Sequence, residues 1–211
     1  MKAKLEIACF DVASAKVALN AGAHRIEYSN NYAVGGLTPN FFEVEELLRW
    51  CKLPIHVLIR CRPGDFCYSS LEIDAMQTSI RAYVELGVQG FVFGCLNAAG
   101  EITKDGNEVL IAAAKGLPCY FHRAFDGINN WQGGLNQLQT IGFKGVLTAQ
   151  RFLTPQNEDF EVICGGGVRA NNLAALVQQT QAPWFHSAAL QVGSNIASIK
   201  EIEDMLAILC R

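Results

Sequence analysis

Six titratable residues interrupt otherwise apolar, strand-like runs of this chain: Glu6, Glu27, His56, Arg60, His122 and His186. Carboxylates beside imidazoles do general acid–base work when burial drives their pKa values apart. Arg123 and Asp126, one and four residues after His122, add a second guanidinium and a third carboxylate. A plainer reading makes the set a self-neutralising buried network, with Glu6 and Glu27 facing Arg60 and Arg123 to fill an interior. No Ser-His-Asp or Cys-His order stands out, so a covalent mechanism is unsupported. A further stretch, Gly165-Gly166-Gly167-Val168-Arg169, lies between a strand and a helix. Glycines there let backbone N–H groups approach an anion at the helix N-terminus, with Arg169 and Ser187 as assistants. The competing reading is a tight turn that needs positive φ.

The elements that would position these groups alternate along the chain. Pro54 to Ser69 shows the pattern most clearly. Its first half is β-branched and apolar, with His56 and Arg60 four apart and hence on one face of a strand. Its second half, with Pro63-Gly64, reads as a loop. Strands are expected at 5–10, 25–28, 55–60, 90–95, 118–123, 145–148, 160–164 and 184–186. Helices are expected at 12–21, 42–52, 71–86, 106–115, 134–141, 171–179 and 199–209. Ala21-Gly22, Leu86-Gly87 and Ile141-Gly142 close helices with the usual glycine. Eight strands, nearly all followed by a helix, predict an α/β fold of the (β/α)8 TIM type spanning residues 1–211 as one domain. An open doubly wound sheet is the alternative, weakened by the missing G-x-G-x-x-G after strand 1. Only Ala149 to Asp159 separate strands 6 and 7, including Thr154-Pro155, so the helix there is expected to be missing or shortened. In such a barrel polar strand residues point inward, which gathers the six around one C-terminal mouth, from five or more strands. That position favours a site acting on a small anionic or phosphorylated substrate.

Composition narrows the partners. A net charge of -3 gives no reason to expect nucleic acid or an anionic membrane. Met1 to Glu6 lack an apolar signal region and no run approaches transmembrane length, so a cytoplasmic location is expected. The eight cysteines form no CxxC or CxC pair, which favours reduced thiols used as small core residues over a soft-metal site.

Several stretches resemble the CutC family, described as copper homeostasis proteins. They are Gly22 to Glu27, Gly35 to Pro39, His56 to Arg60, Gly64 to Ser69, Phe121 to Asp126, Leu147-Thr148, Gly165 to Val168 and His186 to Ala188. The resemblance implies a TIM barrel, a cytoplasmic location, a homodimer or higher homo-oligomer, and copper as a ligand. Family members commonly carry cysteine two residues after the strand-1 and strand-2 glutamates; this chain has Ala8 and Ser29. The remaining candidate copper ligands are Cys67, Cys61 and Cys9. Because Cu(I) selects thiolates, weak Cu(I) binding is expected.

Overall fold

The computed structural model describes residues 3–150, 159–191 and 193–210. Eight parallel strands close into a barrel in sequence order, and β8 pairs back onto β1. They are β1 (Lys4–Cys9), β2 (Arg25–Tyr28), β3 (Ile55–Leu58), β4 (Gly90–Phe93), β5 (Cys119–Phe121), β6 (Gly145–Thr148), β7 (Glu161–Cys164) and β8 (Trp184–Ser187). The described helices are α1 (Val12–Ala21), α2 (Phe41–Trp50), α3 (Ser70–Leu86), α4 (Lys104–Ala113), α5 (Trp131–Ile141), α6 (Ala170–Thr180) and α7 (Ile199–Leu209). This is a TIM-type (β/α)8 barrel, as the alternation of elements implies. The expected missing helix between β6 and β7 concerns residues 151–158, which lie outside the described residues.

Local signals set the helix ends. Asp11 accepts from the Ser14 N–H to start α1, and Ser69 and Glu72 form a reciprocal capping box at α3. Gly22, Gly87 and Gly142 end α1, α3 and α5 in the left-handed region, at φ 83°, 90° and 106°. Four strands stop earlier than their apolar pattern suggests, β1 at Cys9 and β4 at Phe93 among them. β3 ends at Leu58, leaving Arg60 in the following loop, and β5 ends at Phe121. Arg123 falls in a 3-10 turn, Arg123–Gly127, because His122 caps it by accepting from the Ala124 N–H.

Alternation along each strand divides the molecule into two cores. Leu5, Ile7 and Cys9, Ile26 and Tyr28, and Ile55, Val57 and Ile59 face outward into a continuous apolar layer under the helices. The apolar cluster inside the barrel is small: Leu58, Val92, Tyr120, Leu147 and Ile163, with Trp184 against it. Such barrels are ordinarily filled by layers of bulky branched side chains. Here Glu6, Arg25, Glu27, His56 and His122 are buried instead, and glycines make room for them. A Cβ on Gly90 would lie 2.7 Å from the His56 ring, and one on Gly94 would lie 2.9 Å from the His122 ring. A Cβ on Gly145 would run into the backbone oxygen of Glu161. Backbone cannot retreat as a side chain can, so Gly145→Ala is expected to destabilise the fold by about 1–3 kcal/mol. Urea denaturation measures this; an unchanged midpoint would contradict it.

Candidate active site

The floor of the barrel is built on a residue the pattern of candidate residues passed over. Arg25 opens β2 and pairs in register with Glu6 on β1. Its Nε donates to Glu6 Oε2, and both side chains are almost wholly buried. The guanidinium lies 3.9 Å from the Trp184 ring centroid and 4.8 Å from that of Tyr120. Nη1 also reaches the Tyr120 hydroxyl at 3.4 Å, and that hydroxyl donates to Glu161 Oε2 at 2.9 Å. Arg25 thus occupies the neutralising role that the charge pattern assigned to Arg60 and Arg123. The signal that could have found it is the alternation of β2, where Arg25 shares a face with Glu27.

Glu6 and Glu27 have opposite protonation behaviour. Burial pushes the Glu6 carboxyl up, but Arg25, the His186 hydrogen bond and His56 outweigh it and hold it well below the usual range. Burial of Glu27 wins, aided by Glu6, and raises its carboxyl to about 7 against the opposing pull of His186 and Arg25. Glu27 is 7% exposed, and its Oε2 has no hydrogen-bond partner among the described residues. His186 Nδ1 lies 2.7 Å from Glu6 Oε1. An ionised carboxylate only accepts, so Nδ1 carries the hydrogen and the ring is oriented by its carboxylate. Burial disfavours the charged imidazole, yet Glu27 and Glu6 together raise its pKa. His56 and His122 differ: burial, reinforced by Arg25 and Arg60 respectively, lowers each to about 3. Both are neutral at physiological pH.

Above this floor a cavity of about 510 Å3 opens at the C-terminal ends of the strands. Glu27, His186, His122, Arg60, Arg123 and Gly167 are among its lining residues. Arg60 shapes it with both terminal nitrogens, while its Nε has no hydrogen-bond partner among the described residues. Nη1 donates to the Val34 and Gly36 carbonyls at 2.7 and 3.1 Å, and Nη2 to Gly64 O at 2.8 Å. The guanidinium therefore ties the β2–α2 loop to the β3–α3 loop. Arg123 is half exposed and pairs with Asp126 at 2.8 Å. Asp126 turns from the cavity to accept from Thr148 Oγ1 at 2.6 Å and Ala149 N–H at 2.9 Å; it latches β6 to the turn after β5.

The glycine loop borders the same cavity, but much of the expected anion site is already used by the protein. Gly165 N–H donates to Thr148 O at 2.8 Å. Arg169 Nε and the Ala170 N–H both donate to Glu201 Oε1, at 2.9 and 2.8 Å, so α6 begins on a carboxylate of α7. Arg169 Nη1 holds Leu190 O, and Ser187 Oγ donates to Val168 O at 2.6 Å. Gly166 and Gly167 do take positive φ, both 73°, as the tight-turn reading requires. At the cavity edge, the Gly167 and Val168 N–H groups remain without an internal acceptor among the described residues.

The model described as the CutC family matches residues 3–191. This chain belongs to the CutC family. A family protein CutC of Glaesserella parasuis serovar 5 (strain SH0165) is 35% identical over 199 residues, 88% of this chain and 82% of that protein. The copper homeostasis protein cutC homolog of Homo sapiens is 34% identical over 198 residues, 88% of this chain and 72% of that protein. A crystal structure of CutC from Streptococcus agalactiae has TM-score 0.81 at 28% identity, covering 88% of this chain and 98% of the other. N-(5'-phosphoribosyl)anthranilate isomerase from Pyrococcus furiosus, at 13% identity and TM-score 0.67 over 99% and 98% of the two chains, shares the fold alone.

Among the described residues, the thiols of this CutC-family chain do not gather into a soft-metal centre. Cys9 is fully buried on the outer, helix-facing side of β1, and burial pushes its thiol well up. Cys61 and Cys67 are exposed in the loop after β3. Among the described residues the one group of three potential ligands is Glu6, Glu27 and His186. It contains no sulfur, and both Glu6 oxygens are already held, by Arg25 and His186. The set fits neither a thiolate Cu(I) centre nor a free three-ligand cage.

Two outcomes follow from the floor. Arg25→Gln leaves the buried Glu6 carboxylate uncompensated and is expected to lower stability by about 3–5 kcal/mol in urea denaturation. Glu27 behaves differently, because its folded pKa is raised. Its contribution is complete below its ordinary value of 4.5 and is lost as pH rises through about 7. Thermal melts from pH 5 to 8 should show Glu27→Gln gaining on the parent chain as pH rises; a constant difference would contradict the assignment.

Proposed function

We propose that this chain binds a small anionic molecule in the mouth of its barrel and moves protons on it. Glu27 and His186 are the acid–base groups; Glu6 orients His186, and Arg25 keeps Glu6 ionised. One observation carries the reading: a buried carboxyl with an unpartnered oxygen faces the cavity beside an imidazole already anchored through its other nitrogen. The half-exposed Arg123 and the Gly167 and Val168 N–H groups supply the attraction for an anion. The names of its relatives support a role in copper homeostasis for this chain too. The arrangement supports serving that role through the small-molecule pocket rather than through a thiolate cage. Eight free cysteines suit a reducing compartment, in keeping with a cytoplasmic location. A homo-oligomer belongs to the same proposal.

Thermal-shift screening against phosphate, sugar phosphates and short hydroxy acids tests the pocket, beside anaerobic Cu(I) titration. Anionic ligands are expected to raise the melting temperature of the parent chain, and Glu27→Gln and His186→Asn to lose binding or turnover while remaining folded. Tight stoichiometric Cu(I) capture that is lost in Cys61→Ser/Cys67→Ser, with no anion effect, would reverse the proposal.

A further inference from the structure

We infer that the cavity catalyses a proton shift between adjacent carbons of a short phosphorylated hydroxy-carbonyl compound, an inference that rests on the acid–base reading of Glu27 and His186. Three observations converge on it. The first is the absence of a covalent catalyst. Among the described residues no lysine or cysteine lines the cavity, and residues 151–158 contain neither. The Ser187 hydroxyl is committed, donating to Val168 O and accepting from Ala189 N–H at 3.0 Å. Among the described lining residues, Schiff-base and thioester chemistry therefore have no lysine or cysteine nucleophile.

The second observation is the spacing of the two proton carriers. The ligand atoms of Glu6, Glu27 and His186 all lie within 4.8 Å of one another. Since Nδ1 of His186 is bound to Glu6, Nε2 is the nitrogen left for a substrate. Glu27 and His186 both line the cavity, so a carboxylate and an imidazole N–H are available there to take a carbon-bound hydrogen and to protonate the oxygen of the neighbouring carbonyl. The third observation is the polarity of the cavity along its depth. Glu27 and the His186 side chain are largely buried, whereas the Arg123 side chain and Gly167 are exposed. A molecule with a phosphate at one end and a hydroxy-carbonyl unit at the other matches that order. The cavity volume, about 510 Å3, lies within the ordinary range of small-molecule sites and leaves ample room for such a compound.

The step balances without an added reactant. Glu27 takes the proton from the CHOH or CH2OH carbon next to the carbonyl, and that C–H electron pair becomes the C=C bond of an enediol. The carbonyl π pair takes the Nε2 proton of imidazolium His186, which becomes neutral imidazole. In the second half His186 recovers a proton from the other hydroxyl, whose oxygen becomes the new carbonyl. The C=C pair then takes the proton back from Glu27 at the former carbonyl carbon. Both side chains return to their starting states and nothing is oxidised or reduced overall.

The test uses dihydroxyacetone phosphate, glyceraldehyde 3-phosphate and ribulose 5-phosphate in D2O. Proton NMR follows deuterium entry at the carbon next to the carbonyl, and thermal shift follows binding. The full chain is expected to exchange at least one of the three, and Glu27→Gln, purified in parallel, to lose about 100-fold or more of the rate. His186→Asn is expected to lose exchange while still binding. Binding without exchange overturns the proton shift and leaves the anion pocket standing. Exchange that survives in Glu27→Gln also overturns it, because the activity then does not belong to this site. No binding of any of the three overturns the inference, and a thermal response confined to hydroxy acids would leave the pocket itself intact.

Discussion

The Arg25–Glu6 pair is the interaction on which the barrel interior depends. Two buried charges are tolerable only together and only with their remaining groups engaged. Glu6 meets that condition by giving one oxygen to Arg25 and the other to His186. Arg25 meets it in part, through Glu6, the Tyr120 hydroxyl and the faces of Trp184 and Tyr120, while its Nη2 has no hydrogen-bond partner among the described residues. The consequence reaches the cavity. Because Glu6 stays ionised, it accepts from His186 and fixes which nitrogen of that ring is available. Glu27 is drawn down by His186 and Arg25, but burial and the nearby Glu6 charge outweigh them and raise its carboxyl to about 7. One ion pair therefore produces two carboxyl groups of different character within a few ångströms.

A polar interior changes how the barrel is held together. Inside, the apolar cluster is a thin belt of five residues with Trp184 against it. Outside, the helix-facing layer is continuous around the barrel and includes Tyr28, Phe91, Phe93, Phe121, Phe125 and Phe185 among its fully buried side chains. The hydrophobic contribution to folding thus resides mainly between strands and helices. The interior is left to hydrogen bonds and charge. Gly90 and Gly94 belong to the same arrangement, since a larger residue at either would displace an imidazole.

The loops at the mouth are organised by side chains that look catalytic by type but act on the protein. Arg60 spends its guanidinium on three backbone carbonyls of two loops. Arg169 and Glu201 join the loop after β7 to α7, and Asp126 joins the turn after β5 to β6. A helix N-terminus already met by a carboxylate offers little to an incoming anion. That narrows the anion attraction to Arg123 and the two N–H groups beyond the glycines.

The order of apolar runs and glycine stops in the sequence determined the (β/α)8 barrel, because a period of two and a period of 3.6 are local properties of the chain. It also determined which strand residues face inward, and so brought Glu6, Glu27, His56, His122 and His186 to one interior. The resemblance carried by Gly64 to Ser69 and Phe121 to Asp126 marked the CutC family. Tertiary structure alone decided the partners. Arg25 displaced Arg60 and Arg123 as the cation facing Glu6 because register places it opposite Glu6, whereas Arg60 lies beyond the end of β3. Cys9 faces away from the cavity although it lies beside residues that face it, since neighbouring strand residues point to opposite sides. The difference between Glu6 and Glu27, two identical side chains in two similar strands, exists only in the fold. Burial and the distance to a single guanidinium set it, and neither is a property of the chain until the barrel closes.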